Sequence, residues 1–538
     1  MRLYYSKNGQ KLSTKFSNKD IKFDVRIINN RTTIRARALV DGIKLLKTDD
    51  VIPFNVNFKD LYFLNGYQSW TDTKEFKLAE RLRNVKKSPH IISHMFALAK
   101  YGDADFYKYS IKKSHGYDLF YARGKQEILI YSYNFSTAYL IIELIKDRKS
   151  IHLISDVKNI VLSKGQEVTL FDYSMFYNLQ EGMAQYLEDF QRRPVEKLFG
   201  YTSWYNYYQN INEEIILRDL DALDSRFKLF QIDDGYETFV GDWLDVDPKK
   251  FPNGLKPIVD KIHAKGFKAG LWLAPYVAES KSKLFKEHPE YFKRDKNGKI
   301  VKVGGNWSGF YALDLDNVDA MNYMRRCLQY YAALGFDFFK LDFLYASAVT
   351  EYEGRSRAQI QSRAYFLLRE ALEDKLILGC GAYIMNSFKN FDYLRIGPDV
   401  SLIFDDAAYM RLLHRERIST KITIQNTIYR SFMNGHMFGN DPDVFLLRDD
   451  NIHLSKEQRR SLITINALFG SLLMTSDNIA TYDEEKKELL GKALDLFKHG
   501  QVTLYQTRGH LINVSYKLNG EDHSFTYNTR KGLLSNER

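Results

Sequence analysis

Phe336-Asp337-Phe338-Phe339-Lys340-Leu341-Asp342-Phe343-Leu344-Tyr345 decides the reading of the fold. A run this apolar is the mark of a strand covered on both faces, which belongs in a parallel sheet flanked by helices. Lys340 and Asp342 stand two positions apart near its C-terminal end, so both project to one side. Charged groups in such a run are costly unless they are paired or used. The C-terminal ends of the strands are where a (β/α)8 barrel does its chemistry. A buried structural ion pair is the alternative reading of these two residues.

The flanking sequence repeats the strand–helix rhythm from about residue 195. One strand candidate ends at Ser203-Trp204-Tyr205, and others run through Leu229–Gly235, Phe267–Pro275, Leu376–Gly381 and Tyr393–Gly397. Two weaker candidates lie near 432–439 and 466–475. The clearest helix runs from Val318 to Leu334, with Ala320, Met324, Cys327, Leu328, Tyr331 and Leu334 at spacings of three or four and Asn317 as its cap. About eight such units in roughly 300 residues predict a (β/α)8 barrel with insertions. A doubly wound sheet is the competing fold, but it would more often carry a Gly-rich phosphate loop, and none is present.

The two ends of the chain read as β. Asn8-Gly9 is a hairpin signal, and Gln126–Tyr133 and Thr137–Leu144 are extended runs, which together predict a large β-sandwich. Asn519-Gly520 marks another hairpin near the C-terminus. The expected domains are 1–190 (β-sandwich), 191–497 (barrel) and 498–538 (a small β-domain).

Composition narrows the function. The chain has 538 residues, 44% hydrophobic and 27% charged, as in an ordinary globular protein. The net charge of +11 comes from basic residues interspersed with acids, so a nucleic-acid or membrane partner is not expected. Two cysteines, Cys327 and Cys380, exclude a disulfide framework and a cysteine-rich metal site. The start of the sequence lacks the apolar stretch of a signal peptide, and no window has the apolar length of a membrane span. A cytoplasmic enzyme without a metal or cofactor is expected.

In a barrel, Asp233, Asp234, Trp272, Lys340, Asp342, Cys380, Gly381, Arg395 and Asp399 would meet at one rim, since each falls at a strand end or in the following turn. Singly, each has a plainer explanation: a helix-capping pair at Asp233-Asp234, core packing at Trp272, a loop ion pair between Arg395 and Asp399. Together they supply several carboxylates, a lysine, an arginine and aromatic faces. Glycoside hydrolysis uses that inventory: one carboxylate attacks, another protonates the leaving oxygen, and the remaining polar groups hold sugar hydroxyls. The sequence has no GxxxxGK[ST], HExxH or GxSxG run.

The chain resembles the melibiase-type α-galactosidases of glycoside hydrolase family 36, in particular its shorter bacterial and archaeal members. The resemblance rests on Asn65-Gly66-Tyr67-Gln68-Ser69-Trp70, Ser203-Trp204-Tyr205-Asn206-Tyr207, Phe230–Glu237, Gly241-Asp242-Trp243-Leu244 and Gly270–Pro275. It continues through Phe339–Leu344, Leu378-Gly379-Cys380-Gly381, Arg395–Asp399 and Asn440-Asp441-Pro442-Asp443. It implies an N-terminal β-supersandwich, a central barrel and a small C-terminal antiparallel β-domain. It also implies double displacement with retention, with Asp342 as nucleophile and Asp399 as acid/base. By the same resemblance, Asp233 and Asp234 would hold galactose O4 and O6, and Lys340 and Arg395 other hydroxyls. Trp204, Tyr205 and Trp272 would line the sugar site, Trp70 would reach in from the N-terminal domain, and Cys380 and Gly381 would face the C2 substituent.

Two positions depart from the family pattern: Tyr383 stands where proline is more usual, and Tyr67 replaces a common tryptophan. The retaining scheme calls for carboxyls about 5–5.5 Å apart. It needs Asp342 ionised, with Lys340 favouring the charged form, and Asp399 initially protonated. Glu279, in Ala278-Glu279-Ser280-Lys281, reads as a solvated loop acid, with a further sugar ligand as the alternative. The expected partner is a small carbohydrate such as melibiose or raffinose, and self-association into a homo-oligomer is left open. The alternatives are a transglycosylase of raffinose-synthase type, an α-N-acetylgalactosaminidase and, least favoured, a non-catalytic sugar-binding protein.

Overall fold

The computed structural model describes residues 1–80, 97–146, 150–192, 194–405 and 414–537. At its centre is a parallel barrel with strands Leu198–Thr202, Leu229–Ile232, Lys268–Leu273, Phe338–Leu341, Leu376–Gly379 and Tyr393–Arg395 in chain order. A seventh position is split into Gly439–Asp441 and Val444–Phe445, and Leu472–Thr475 is the eighth. Each half of the split strand pairs on one side only, the first with the sixth strand and the second with the eighth. Pro442 cannot donate to a ladder, and Asp443 sits in the left-handed region at φ 71°, so the strand steps over at this point. The eighth strand pairs in parallel with the first and closes the ring.

The Phe336–Tyr345 run behaves as its composition demands. Phe338–Leu341 is buried throughout and lies between the third and fifth strands. Asp342 comes immediately after the strand, and Phe343 takes a left-handed conformation at φ 53°, a strained backbone of the kind that gathers at functional sites. The Val318–Leu334 helix has the predicted bounds, with Asn317 Oδ1 accepting from Ala320 N at 3.0 Å. It ends on Gly335 at φ 116°, a conformation that favours glycine. Cys327 is buried on its inner face.

The two weaker strand assignments need correction. Residues 466–469 complete the helix Lys456–Phe469, which Ser455 and Gln458 start with a capping box. Ser431–Met433 is a turn of 3-10 helix, and the strand begins only at Gly439. In both places helical turns occupy the start of a segment whose composition suits a strand.

Between Arg2 and Phe176 the chain forms two seven-stranded antiparallel sheets around a core of their own. Gln501–Ser535 forms a four-stranded antiparallel sheet, with the hairpin at Asn519-Gly520 as read. From the sandwich, the segment Asn65–Thr73 reaches the barrel. Buried Arg430 secures it, donating to Ser69 O at 2.6 Å, Thr73 Oγ1 at 2.9 Å and Asn65 Oδ1 at 3.2 Å. Among the described residues, no helix is long and apolar enough to cross a membrane.

Candidate active site

The barrel brings the rim carboxylates into two clusters. The first is built on the second, third and fourth strands. Asp342 Oδ2 accepts from the Trp272 indole at 3.1 Å, and Oδ1 accepts from the following amide, Phe343 N, at 2.7 Å. Lys340 is buried and its ammonium pairs with Asp233 Oδ2 at 2.8 Å. The sequence reading set Lys340 beside Asp342, but its direct partner is Asp233. Burial alone would push Lys340 down, but the charge of Asp233, with Asp342 adding to it, raises it and keeps it an ammonium. Gln231 and Thr202 donate to the same Asp233 oxygen at 2.7 and 3.2 Å.

Asp234 points to a second set of donors. Gln209 Nε2 lies 3.1 Å from Oδ1, and the Trp307 indole 2.9 Å from Oδ2. Burial raises the Asp234 carboxyl and, with Asp234 beside it, lifts the buried Glu237 carboxyl well above its usual range. Trp307 was not anticipated. Its only signal was a lone tryptophan in Gly304-Gly305-Asn306-Trp307-Ser308-Gly309, part of an excursion after the third strand. Glu279 corrects the sequence reading. It is buried, and its carboxylate ties Val240 N at 3.1 Å to Ser308 N and Oγ at 3.2 and 2.6 Å, which fastens the Trp307 loop.

The second cluster is built on the sixth and seventh strands. Arg395 is buried and spans three carboxylates: Asp441 at 2.7 Å, Asp399 at 2.9 Å and Asp443 at 2.9 Å. Burial lowers its guanidinium, but Asp441 and Asp443 more than reverse this. Burial raises Asp399, with the charges of Asp342 and Asp233 adding to it, against the opposing pull of Arg395 and Lys340. Burial likewise pushes Asp443 to about 7 in spite of Arg395. Asp399 keeps 30% of its side chain exposed, while Asp441 and Asp443 are sealed in.

Aromatic residues frame both clusters. Trp272 lies 5.7 Å from Trp243 and 6.1 Å from Trp307, ring to ring. Trp70, from the N-terminal segment, packs edge-on to Phe343 at 5.4 Å and donates to Cys380 Sγ at 3.4 Å. Gly381 has φ 59°, and a Cβ there would come within 2.9 Å of the Trp70 ring. The Cys380 thiol is raised by burial and by the nearby Asp342 charge. Tyr205 is buried with its hydroxyl donating to Asp443. Trp204 lies apart, packed edge-on to Tyr208 at 5.1 Å, with no ring contact to Trp70, Trp272 or Trp307.

A parallel barrel that presents carboxyls in two unequal settings, a buried lysine, a buried arginine and a tryptophan frame carries the inventory that glycoside hydrolysis uses. The melibiase family model matches residues 184–373, which carry the first four strands and Asp342, and over that stretch the chain is similar to melibiases. The α-galactosidase of Escherichia coli is 27% identical over 210 residues, 36% of this chain and 29% of that protein. An A type blood α-D-galactosamine galactosaminidase of Flavonifractor plautii is 34% identical over 146 residues, 25% of this chain and 13% of that protein. The matched stretches thus span less than a third of these relatives. The fold matches TtGalA, an α-galactosidase from Thermus thermophilus solved with p-nitrophenyl α-D-galactopyranoside and with stachyose. The TM-score is 0.72 at 24% identity, over 93% of this chain and 98% of that one.

Proposed function

We propose that the chain is a retaining α-galactosidase that releases terminal α-linked galactose from short oligosaccharides such as melibiose or raffinose. The observation that carries this reading is the unequal setting of two carboxyls. Asp342 receives an indole N–H and an amide N–H, while Asp399 is raised by burial and by neighbouring acids. In the first step, an Asp342 oxygen bonds to the anomeric carbon while the glycosidic C–O bond breaks and its oxygen takes the Asp399 proton. In the second, water gives a proton to the Asp399 carboxylate as its oxygen displaces Asp342 from that carbon. Asp233, Asp234 and Lys340 hold galactose hydroxyls, with Trp272 and Trp307 beside the ring.

A panel of p-nitrophenyl glycosides tests the reading, with α-galactoside expected to turn over fastest. The similarity to the galactosaminidase favours one second reading, a site that accepts a 2-amino or 2-acetamido substituent. Faster turnover of the α-N-acetylgalactosaminide would select it. No turnover of either substrate would reject both.

A further inference from the structure

Two tyrosines singled out in the sequence, Tyr67 and Tyr383, meet in the folded chain. Tyr67 comes from the sandwich and Tyr383 from the segment after the fifth barrel strand, and their rings lie 5.5 Å apart. Tyr383 also stacks on Tyr139 at 4.1 Å, and its hydroxyl donates to Asp118 Oδ2 at 2.6 Å. Asp118 and Tyr139 both belong to the sandwich, and all four side chains are buried. Asp118 Oδ1 accepts from Leu140 N at 3.0 Å, so its carboxylate is committed on both oxygens.

Next along the chain toward the site, Ala382 pairs with Ser69 through both backbone groups: Ser69 N donates to Ala382 O at 2.8 Å, and Ala382 N donates to Ser69 Oγ at 3.2 Å. The carbonyls of Cys380 and Gly381 then accept from Leu344 N at 3.2 Å and Tyr345 N at 2.7 Å. These amides belong to the turn that follows Asp342. A continuous path of bonds therefore runs from Asp118 through Tyr383 and residues 380–382 to the backbone that aims the Asp342 carboxylate.

We propose that Tyr383 is a positioning residue, clamped by Asp118 with Tyr67 and Tyr139, through which the N-terminal sandwich fixes the turn that carries Asp342. The role of Asp342 rests on the α-galactosidase reading; the clamp itself does not. Losing the Tyr383 hydroxyl leaves a buried carboxylate short of a donor, and the 380–382 wall then opens more often.

The test compares Tyr383→Phe, Asp118→Asn and the double variant with the wild type, using the two cysteines as reporters. Both thiols are buried, Cys380 in the wall and Cys327 in a helix outside it. Alkylation by N-ethylmaleimide, followed by peptide mass spectrometry, reads each one separately. In Tyr383→Phe, Cys380 is expected to react about tenfold faster while Cys327 is unchanged. With p-nitrophenyl α-galactoside, kcat is expected to fall by about tenfold with KM within about twofold. Asp118→Asn should act in the same direction, and the double variant should be no worse than the more impaired single one.

The clamp is overturned if Cys380 reacts within about twofold of the wild-type rate, if Cys327 accelerates in parallel, or if, with a wild type active on the galactoside, the wall opens and kcat stays unchanged. A wild type inactive on the galactoside whose Tyr383→Phe variant still exposes Cys380 sinks the functional reading and keeps the clamp. An active wild type whose Tyr383→Phe variant keeps Cys380 protected does the opposite.

Discussion

The two carboxyl clusters at the barrel mouth are built from the same residue types to opposite effect. Beside Asp342 the one lysine pairs with Asp233, and both Asp342 oxygens receive N–H groups. At Asp399 one arginine is shared among three carboxylates, two of them sealed from solvent. The first setting, with an N–H donor on each oxygen, suits the proposed nucleophile. The second crowds negative charge around the proposed acid. In the proposed reading, acid and nucleophile are thus set apart by how many carboxyls crowd around each.

Removing either carboxyl breaks the comparison most severely. Asp342→Gly is expected to lower kcat by at least about 10^4-fold, as loss of a nucleophile does elsewhere. Azide should then restore turnover and yield β-galactosyl azide, identified by NMR. An α-configured product would overturn the assignment. Asp399→Asn should cost about 10^2–10^4-fold on raffinose and less on an aryl galactoside, whose leaving group needs little protonation. With Asp399 in the proposed acid role and its pKa raised, wild-type activity should persist toward neutral pH and fall as pH rises through that pKa. The alkaline limb should vanish in Asp399→Asn.

Two finer changes sharpen the contrast. Trp307→Phe removes an N–H from Asp234 and leaves the Asp342 and Asp399 settings intact, so KM should rise by about tenfold with kcat nearly unchanged. Asp443→Asn removes one anion from the Arg395 cluster. With less negative charge beside it, Asp399 binds its proton less tightly, and the alkaline limb of the pH–rate profile should move to lower pH. A limb that stays in place or moves up would show that Asp443 does not tune Asp399.

Much of this architecture was legible because it depends on local pattern. The Val318–Leu334 helix has a cap, an apolar stripe and a glycine stop, all within its own sequence. The Asn8-Gly9 and Asn519-Gly520 hairpins carry their own turn chemistry. The seventh and eighth strands were begun too early because burial favours an apolar segment whether it is strand or helix. In the site, Asp342 and Asp399 stood out as charges at strand ends. Glu279 looked like any loop acid, since its burial depends on Val240 and Ser308, brought to it from separate loops.

The sequence by itself determined the barrel, the β-rich ends and the residues that crowd its rim, because periodicity and turn residues act over a few positions. Tertiary structure alone decided which cation serves which anion. Lys340 could have paired with Asp342 in its own run; the twist and closure of the barrel gave it Asp233 from the second strand. Only the folded chain joins Tyr67 and Tyr383, or sets Trp307 on Asp234, since those contacts require two distant segments to be packed against each other.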